Sequence, residues 1–219
     1  MDDKNILKQN NLEVTDFDSK NIFFDFIHLL NTYKNYVNPN SIVVEIGASN
    51  KHRTQLFSRY CKQLVGIEYF LERLRTDFDN AIYKQGDWQN LAGILDDDNF
   101  DILVSSHCIE HVFDDLAAVN ETYRILKPGG VAIFNTPNRK RLVRRIIELF
   151  TGERKFPWRE HVREYTKKDL VKLLERSKFK NYKIEPICLG IKGLRWLCIK
   201  KCPKYFEDLC IYWEIILYK

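Results

Sequence analysis

The sequence predicts an α/β domain: an open, mostly parallel seven-stranded sheet with helices on both faces and a C-terminal antiparallel strand. Three observations carry this. Short, continuously apolar runs alternate with segments of helical periodicity, as expected for parallel strands buried on both faces. Several of those runs end in polar or glycine-containing turns suited to ligands. At 219 residues, with 45% hydrophobic and 30% charged side chains, the chain has enough material for one substantial core and little for a second.

The elements follow in order. Phe26, Ile27, Leu29, Leu30 and Tyr33 recur at helical spacing within 20–36, with Ile22 and Phe23 before them. "NPNS" breaks that helix, and "IVVEIG" is the first strand. "RTQLFSRYC" reads as a helix, "QLVGIE" as a strand, "FLERLRTDF" as a second helix and "AIYKQGD" as a third strand. "FDILVSSH" is the fourth strand, and an amphipathic helix lies between Asp114 and Leu126. "KPGG" reads as a turn and "VAIFNTP" as the fifth strand. Thr166 and Asp169 form a capping-box pattern before "KDLVKLLERSK", and "YKIEPI" and "IYWEIILY" supply the last strands.

Composition narrows the function. The polar, acidic start lacks the pattern of a secretory or mitochondrial leader, and the densest apolar run, "LCIYWEIILY", is too short for a membrane span and contains Glu214. These features predict a cytoplasmic protein. Cysteines at 61, 108, 188, 198, 202 and 210 form no CxxC pair, so reduced thiols are expected, and no metal site is assigned to them. The net charge of +5 is uneven: 139–168 holds eleven Lys/Arg against four Glu, +7, leaving −2 elsewhere. That segment predicts one anionic or membrane-surface contact.

The strand ends carry the chemistry. The first closes on Glu45-Ile46-Gly47-Ala48-Ser49, the second on Glu68, the third on Gly86-Asp87-Trp88, the fourth on Ser105-Ser106-His107. Gly47 permits a tight turn, and a carboxylate 21 residues later suits ribose hydroxyls. Asp87 suits an exocyclic amine of adenine, and Trp88 or Tyr69 offers an apolar face to a base. Together these residues predict a nucleoside pocket.

"VVEIGAS", "GIEYF", "GDWQNL" and above all "FDILVSSHCIEHVFDDLAAVNETYRILKPGGVAIFNTPN" resemble the class I S-adenosylmethionine-dependent methyltransferases, in particular a small-molecule O-methyltransferase-like group. The resemblance covers about residues 40 to 186 and implies a Rossmann-like fold and S-adenosylmethionine as cofactor. It places Glu45 and Gly47, Ala48 and Ser49 around the methionyl part of that cofactor, and Ser106 and His107 beside the sulfonium and substrate. It also divides the domain into an N-terminal helical cover (1–40), a cofactor-binding core (41–138), a basic lid or substrate segment (139–168) and a C-terminal helix with the last strands (169–219).

A hydroxyl acceptor needs a base. His107 is the first candidate, and His161, after the fifth strand, the second. Strand four lacks the Asn/Asp-Pro-Pro-aromatic sequence of base-amine methylation, so nucleic acid is less favoured. The expected acceptor is a small molecule, a glycan or a lipid-linked compound. Two rival readings remain. One is a catalytically inactive methyltransferase-like partner or RNA-binding module. The other is a zinc hydrolase, because His107-Cys108-Ile109-Glu110-His111 spells HxxEH. Some quinone-pathway relatives hold a divalent ion hereabouts with acids, one of which His107 replaces.

Overall fold

The computed structural model describes residues 23–75, 77, 79–152, 161–190 and 199–219. The N-terminal stretch 1–22, the middle of the basic segment (153–160) and most of "GIKGLRWLCIKK" (191–198) lie outside these residues.

Among the described residues, eight strands form one sheet. Its strands are β1 (Ile42–Ile46), β2 (Gln63–Glu68), β3 (Ala81–Gln85), β4 (Phe100–Ser106), β5 (Leu126–Pro137), β6 (Asn181–Leu189), β7 (Ile199–Lys201) and β8 (Cys210–Tyr218). Their order is β3-β2-β1-β4-β5-β8-β6-β7. β1 to β5 pair in parallel, while β8 runs antiparallel to both β5 and β6. The expected seven-strand pattern is therefore present, and the three-residue β7 extends its edge against β6.

Helices cover both faces. Phe26, Leu29, Leu30 and Tyr33 of α1 (Phe23–Lys34) and Leu56 and Phe57 of α2 (Lys51–Ser58) pack with Val43, Leu64, Ile102 and Ile133 on one face. On the other, α3 (Asp115–Ile125) and α5 (Lys167–Arg176) contribute Ala118, Val119, Leu170, Leu173 and Leu174 against Val44, Leu103 and Phe134. Successive residues of β1 feed opposite cores, which is why the strand is apolar almost throughout. The capping box at Thr166 and Asp169 is formed in both directions.

Two local expectations change. Among its described residues, "FLERLRTDF" makes only a single 3-10 turn at Leu71–Arg73: the preceding Phe70 gives no side-chain cap, and Tyr69 and Leu71 are exposed. "KPGG" lies within β5 as a bulge, where register jumps from Phe100↔Leu126 to Ile102↔Val131. Gly130 is required there, since a Cβ would sit 2.9 Å from the Lys127 carbonyl oxygen. Asn50 is extended (φ −102°) and caps α2 by accepting from the His52 and Arg53 amides.

The basic segment does not simply turn its charges to solvent. In α4 (Leu142–Thr151), Arg144 is buried, whereas Ile146, Ile147, Leu149 and Phe150 are exposed. Arg144 turns inward with Arg141 toward Glu164. Arg139 pairs with Glu148, Lys140 with Asp208 and Lys167 with Glu207. Much of the described positive charge is thus matched inside the fold. Among the described residues, no helix is long and apolar enough to cross a membrane.

Candidate active site

Chain order reverses between β1 and β4: β2 and β3 lie on one side of β1, β4 and β5 on the other. The carboxyl ends of these strands form the crevice where open α/β sheets take ligands. Gly47 turns there with φ +78°, and its amide and that of Ala48 donate to the Ile67 carbonyl (2.8 and 3.1 Å). A Cβ on Gly47 would lie 2.1 Å from Cys108 Sγ, so glycine is needed for both conformation and space. Burial pushes that thiol up to about 12, which leaves it inert near neutral pH. Ser49 keeps its backbone carbonyl fixed by Arg75 Nε (2.7 Å).

Glu45 is buried on β1, and burial pushes its carboxyl up to about 8 despite Thr54 and Arg53. Its Oε2 has no hydrogen-bond partner. Arg53, in the first turn of α2, reaches into the crevice: its guanidinium lies 4.9 Å from the Phe26 ring centroid, and Nη1 donates to Ser106 Oγ at 3.4 Å. Glu68, also buried, accepts from the Phe70 amide through Oε1 (3.1 Å). Tyr69 beside it is 59% exposed. Asp87 is engaged by the backbone and side-chain amides of Gln89, both 3.0 Å from Oδ1.

Trp88 separates from this group. Its indole is buried, donates to Thr122 Oγ1 (2.9 Å) and packs edge-on against Phe134. It belongs to the core under α3 and is not placed to cover a base. Tyr69 keeps an open ring.

His107 sits at the end of β4 with φ +57°, its amide donating to the Asn135 carbonyl and side chain. Nε2 meets Asp25 Oδ2 of α1, and Nδ1 lies 3.3 Å from Glu110 Oε1. Burial opposes its charge, but Asp25 and Glu110 prevail and raise its pKa to about 9. The same partnership overcomes burial in both carboxyls and lowers them below their usual range. An imidazole charged at neutral pH, with both nitrogens committed, donates. The general-base role expected of His107 does not fit this arrangement.

His161 is set differently. Nδ1 faces Glu164 Oε1 at 3.2 Å, and Arg141 grips that carboxylate through two bonds of 2.9 and 3.0 Å. Burial would raise Glu164, but His161, Arg141 and Arg144 bring it down to about 2. In the tautomer that donates Nδ1–H to Glu164, Nε2 is an acceptor. The His161 ring stands edge-on to His111, with centroids 4.8 Å apart. The loop is tied down by the Val162 and Arg163 amides, which donate to the Glu110 carbonyl (2.9 and 3.2 Å).

Glu110, His111 and His161 also offer three metal-ligand atoms within 4.8 Å of one another. The HxxEH motif itself is not laid out as a pair of histidines on one helix. His107 is left-handed, and Ile109–His111 is a 3-10 turn, so the two motif histidines do not share a helical face. The third donor comes from the loop after α4.

Asp25, Glu164 and the inward role of Arg53 are the site residues that sequence reasoning missed. Asp25 left one signal, an acid inside the apolar run "FFDFIHLL". Glu164 left none that separates it from its charged neighbours.

Comparisons with known proteins agree with this geometry. A family model described as a methyltransferase domain matches residues 44–134. A protein of Mycolicibacterium smegmatis named as a probable S-adenosylmethionine-dependent methyltransferase is 30% identical over 142 residues, 63% of this chain and 51% of its own. This chain thus spans about half of that relative's length. Among solved structures, the YcgJ protein of Bacillus subtilis superposes with a TM-score of 0.63 at 18% identity, covering 88% of this chain and 98% of that one. A Thermotoga maritima protein described as an S-adenosylmethionine-dependent methyltransferase, possible histamine N-methyltransferase, gives 0.62 at 22% identity and 90% coverage of both. Residues 44–134 thus match a methyltransferase domain, and the sheet around them has the fold of the S-adenosylmethionine-dependent methyltransferases.

Proposed function

We propose that the protein transfers the methyl group of S-adenosylmethionine to an oxygen of a small-molecule, glycan or lipid-linked acceptor, in the cytoplasm or at a membrane surface. The observation that carries this reading is the convergence of the Gly47–Ser49 turn, Glu68 and Ser106 at the ends of three adjacent parallel strands. The residues fit the cofactor: a turn without a Cβ, an orphaned carboxylate oxygen on Glu45 and a buried acid at the end of β2. Glu68 would take the ribose hydroxyls, Asp87 the adenine amine, Tyr69 the base and Glu45 with the turn the methionyl part. The cofactor supplies an electrophilic methyl group on a sulfonium sulfur. The chain's own task is then to orient the acceptor, exclude water and hold its proton.

His161 suits the last task, with Nδ1 anchored by Glu164 and Nε2 left to accept. The exposed Ile146, Ile147, Leu149 and Phe150 on α4, next to the arginines that hold Glu164, support an amphiphilic acceptor over a nucleic acid.

One observation favours a metal-assisted version: Glu110, His111 and His161 could hold a divalent ion, which would lower the pKa of a bound hydroxyl. Labelled S-adenosylmethionine incubated with lipid, glycan and small-molecule fractions tests both. Label recovered as O-methyl product supports the proposal, and its loss on chelation supports the metal-assisted form. Label found only on nitrogen, or on no fraction, refutes the oxygen assignment.

A further inference from the structure

Three residues beyond Asp25 on α1, His28 faces the last strands of the sheet. With Glu185 of β6 and Glu214 of β8, it brings one imidazole nitrogen and two carboxylate oxygens within 4.8 Å of one another. Glu185 and Glu214 are directly opposite in the antiparallel β6–β8 pair, an arrangement in which like charges destabilise. Glu214 is 1% exposed. Its Oε2 accepts from Thr32 Oγ1 (2.9 Å) and lies 3.2 Å from His28 Nε2. Its Oε1 is buried with no hydrogen-bond partner. A buried carboxylate oxygen without a donor, facing a second carboxylate, calls for a cation.

We propose that His28, Glu185 and Glu214 form a binding site for a divalent transition-metal ion of the zinc class. An imidazole with two carboxylates suits zinc, whereas magnesium prefers oxygen ligands and retained waters. The ion takes the orphaned Glu214 Oε1, neutralises the facing acids and uses the nitrogen that now contacts Glu214. It shares no ligand with the Glu110, His111 and His161 group, and it does not depend on methyl transfer. Its position gives it a consequence for the active site. It clamps α1 to β6 and β8, and α1 carries the Asp25 that holds His107.

Calorimetric titration of chelator-stripped protein with zinc chloride tests this, alongside Glu185→Gln, His28→Ala and His161→Ala. Glu185 is exposed, so its substitution spares the core. Glu185→Gln and His28→Ala should each weaken one zinc-binding event by more than about tenfold, since even outer partners of metal ligands cost that much. His161→Ala should leave that event intact. Zinc should also slow amide hydrogen exchange along α1 in the wild type and not in Glu185→Gln. Equal zinc binding in wild type and Glu185→Gln, binding lost only in His161→Ala, or no binding by folded wild type would each overturn the proposal.

Discussion

His107 and Asp25, 82 residues apart in sequence, meet ring nitrogen to carboxylate beneath the crevice, and this contact joins α1 to the end of β4. Burial alone would discharge both groups, yet each keeps the other charged. The raised pKa of His107 contributes stability that is complete below 6.5 and is lost as pH rises through about 9. Asp25→Asn should lower the His107 pKa and flatten that part of the stability profile. Imidazole NMR titration reads the first effect and denaturant melts the second. An unchanged His107 pKa would show that Glu110 alone holds the charge.

Glu45 bends the profile in a different window. A carboxyl raised from 4.5 to about 8 favours folding below 4.5, and that advantage is lost as pH climbs through about 8. Glu45→Gln should therefore be the more stable protein at pH 8 and lose its lead below pH 4.5. Parallel unfolding curves at the two pH values check this, and a constant difference would contradict it.

The turn itself can be tested by a double-mutant cycle. Gly47→Ala meets two obstacles, the positive φ and Cys108 Sγ, and should cost at least about 2 kcal/mol. Adding Cys108→Ala should restore the overlap part and leave the conformational part. Full additivity of the two substitutions would mean that the contact between Gly47 and Cys108 is unimportant.

Trp88 and Tyr69 should separate stability from binding. Trp88→Phe removes the bond to Thr122 and should cost about 1–3 kcal/mol of stability with little change in cofactor affinity. Tyr69→Ala should do the reverse, because its ring is exposed beside Glu68. Thermal unfolding and S-adenosylhomocysteine titration on both variants decide between these roles.

Much of the sheet was legible because strands buried on both faces must be largely apolar, and β1, β2, β4 and β8 are. The polar groups at their ends stand out against that background, so Glu45, Gly47, Glu68 and Ser106 could be read one strand at a time. Side-chain direction could not. Trp88 looks the same in sequence whether it faces the crevice or α3, and α4 has the same pattern whichever face is buried. Partners distant in the chain were hidden for a related reason. His107 looked like a base until Asp25 and Glu110 were found on its two nitrogens, and the third donor near HxxEH came from a loop 50 residues on, at His161.

The central claim is that the crevice at the ends of β1, β2 and β4 holds S-adenosylmethionine, with Glu68 on its ribose. Calorimetric titration of wild type and Glu68→Ala with S-adenosylhomocysteine tests it most directly. Loss of hydrogen bonds to a charged acceptor, about 1.5–3 kcal/mol, should weaken binding about tenfold to a hundredfold in the variant. Folded wild-type protein that takes up no S-adenosylhomocysteine, or equal affinity in both proteins, would contradict the account.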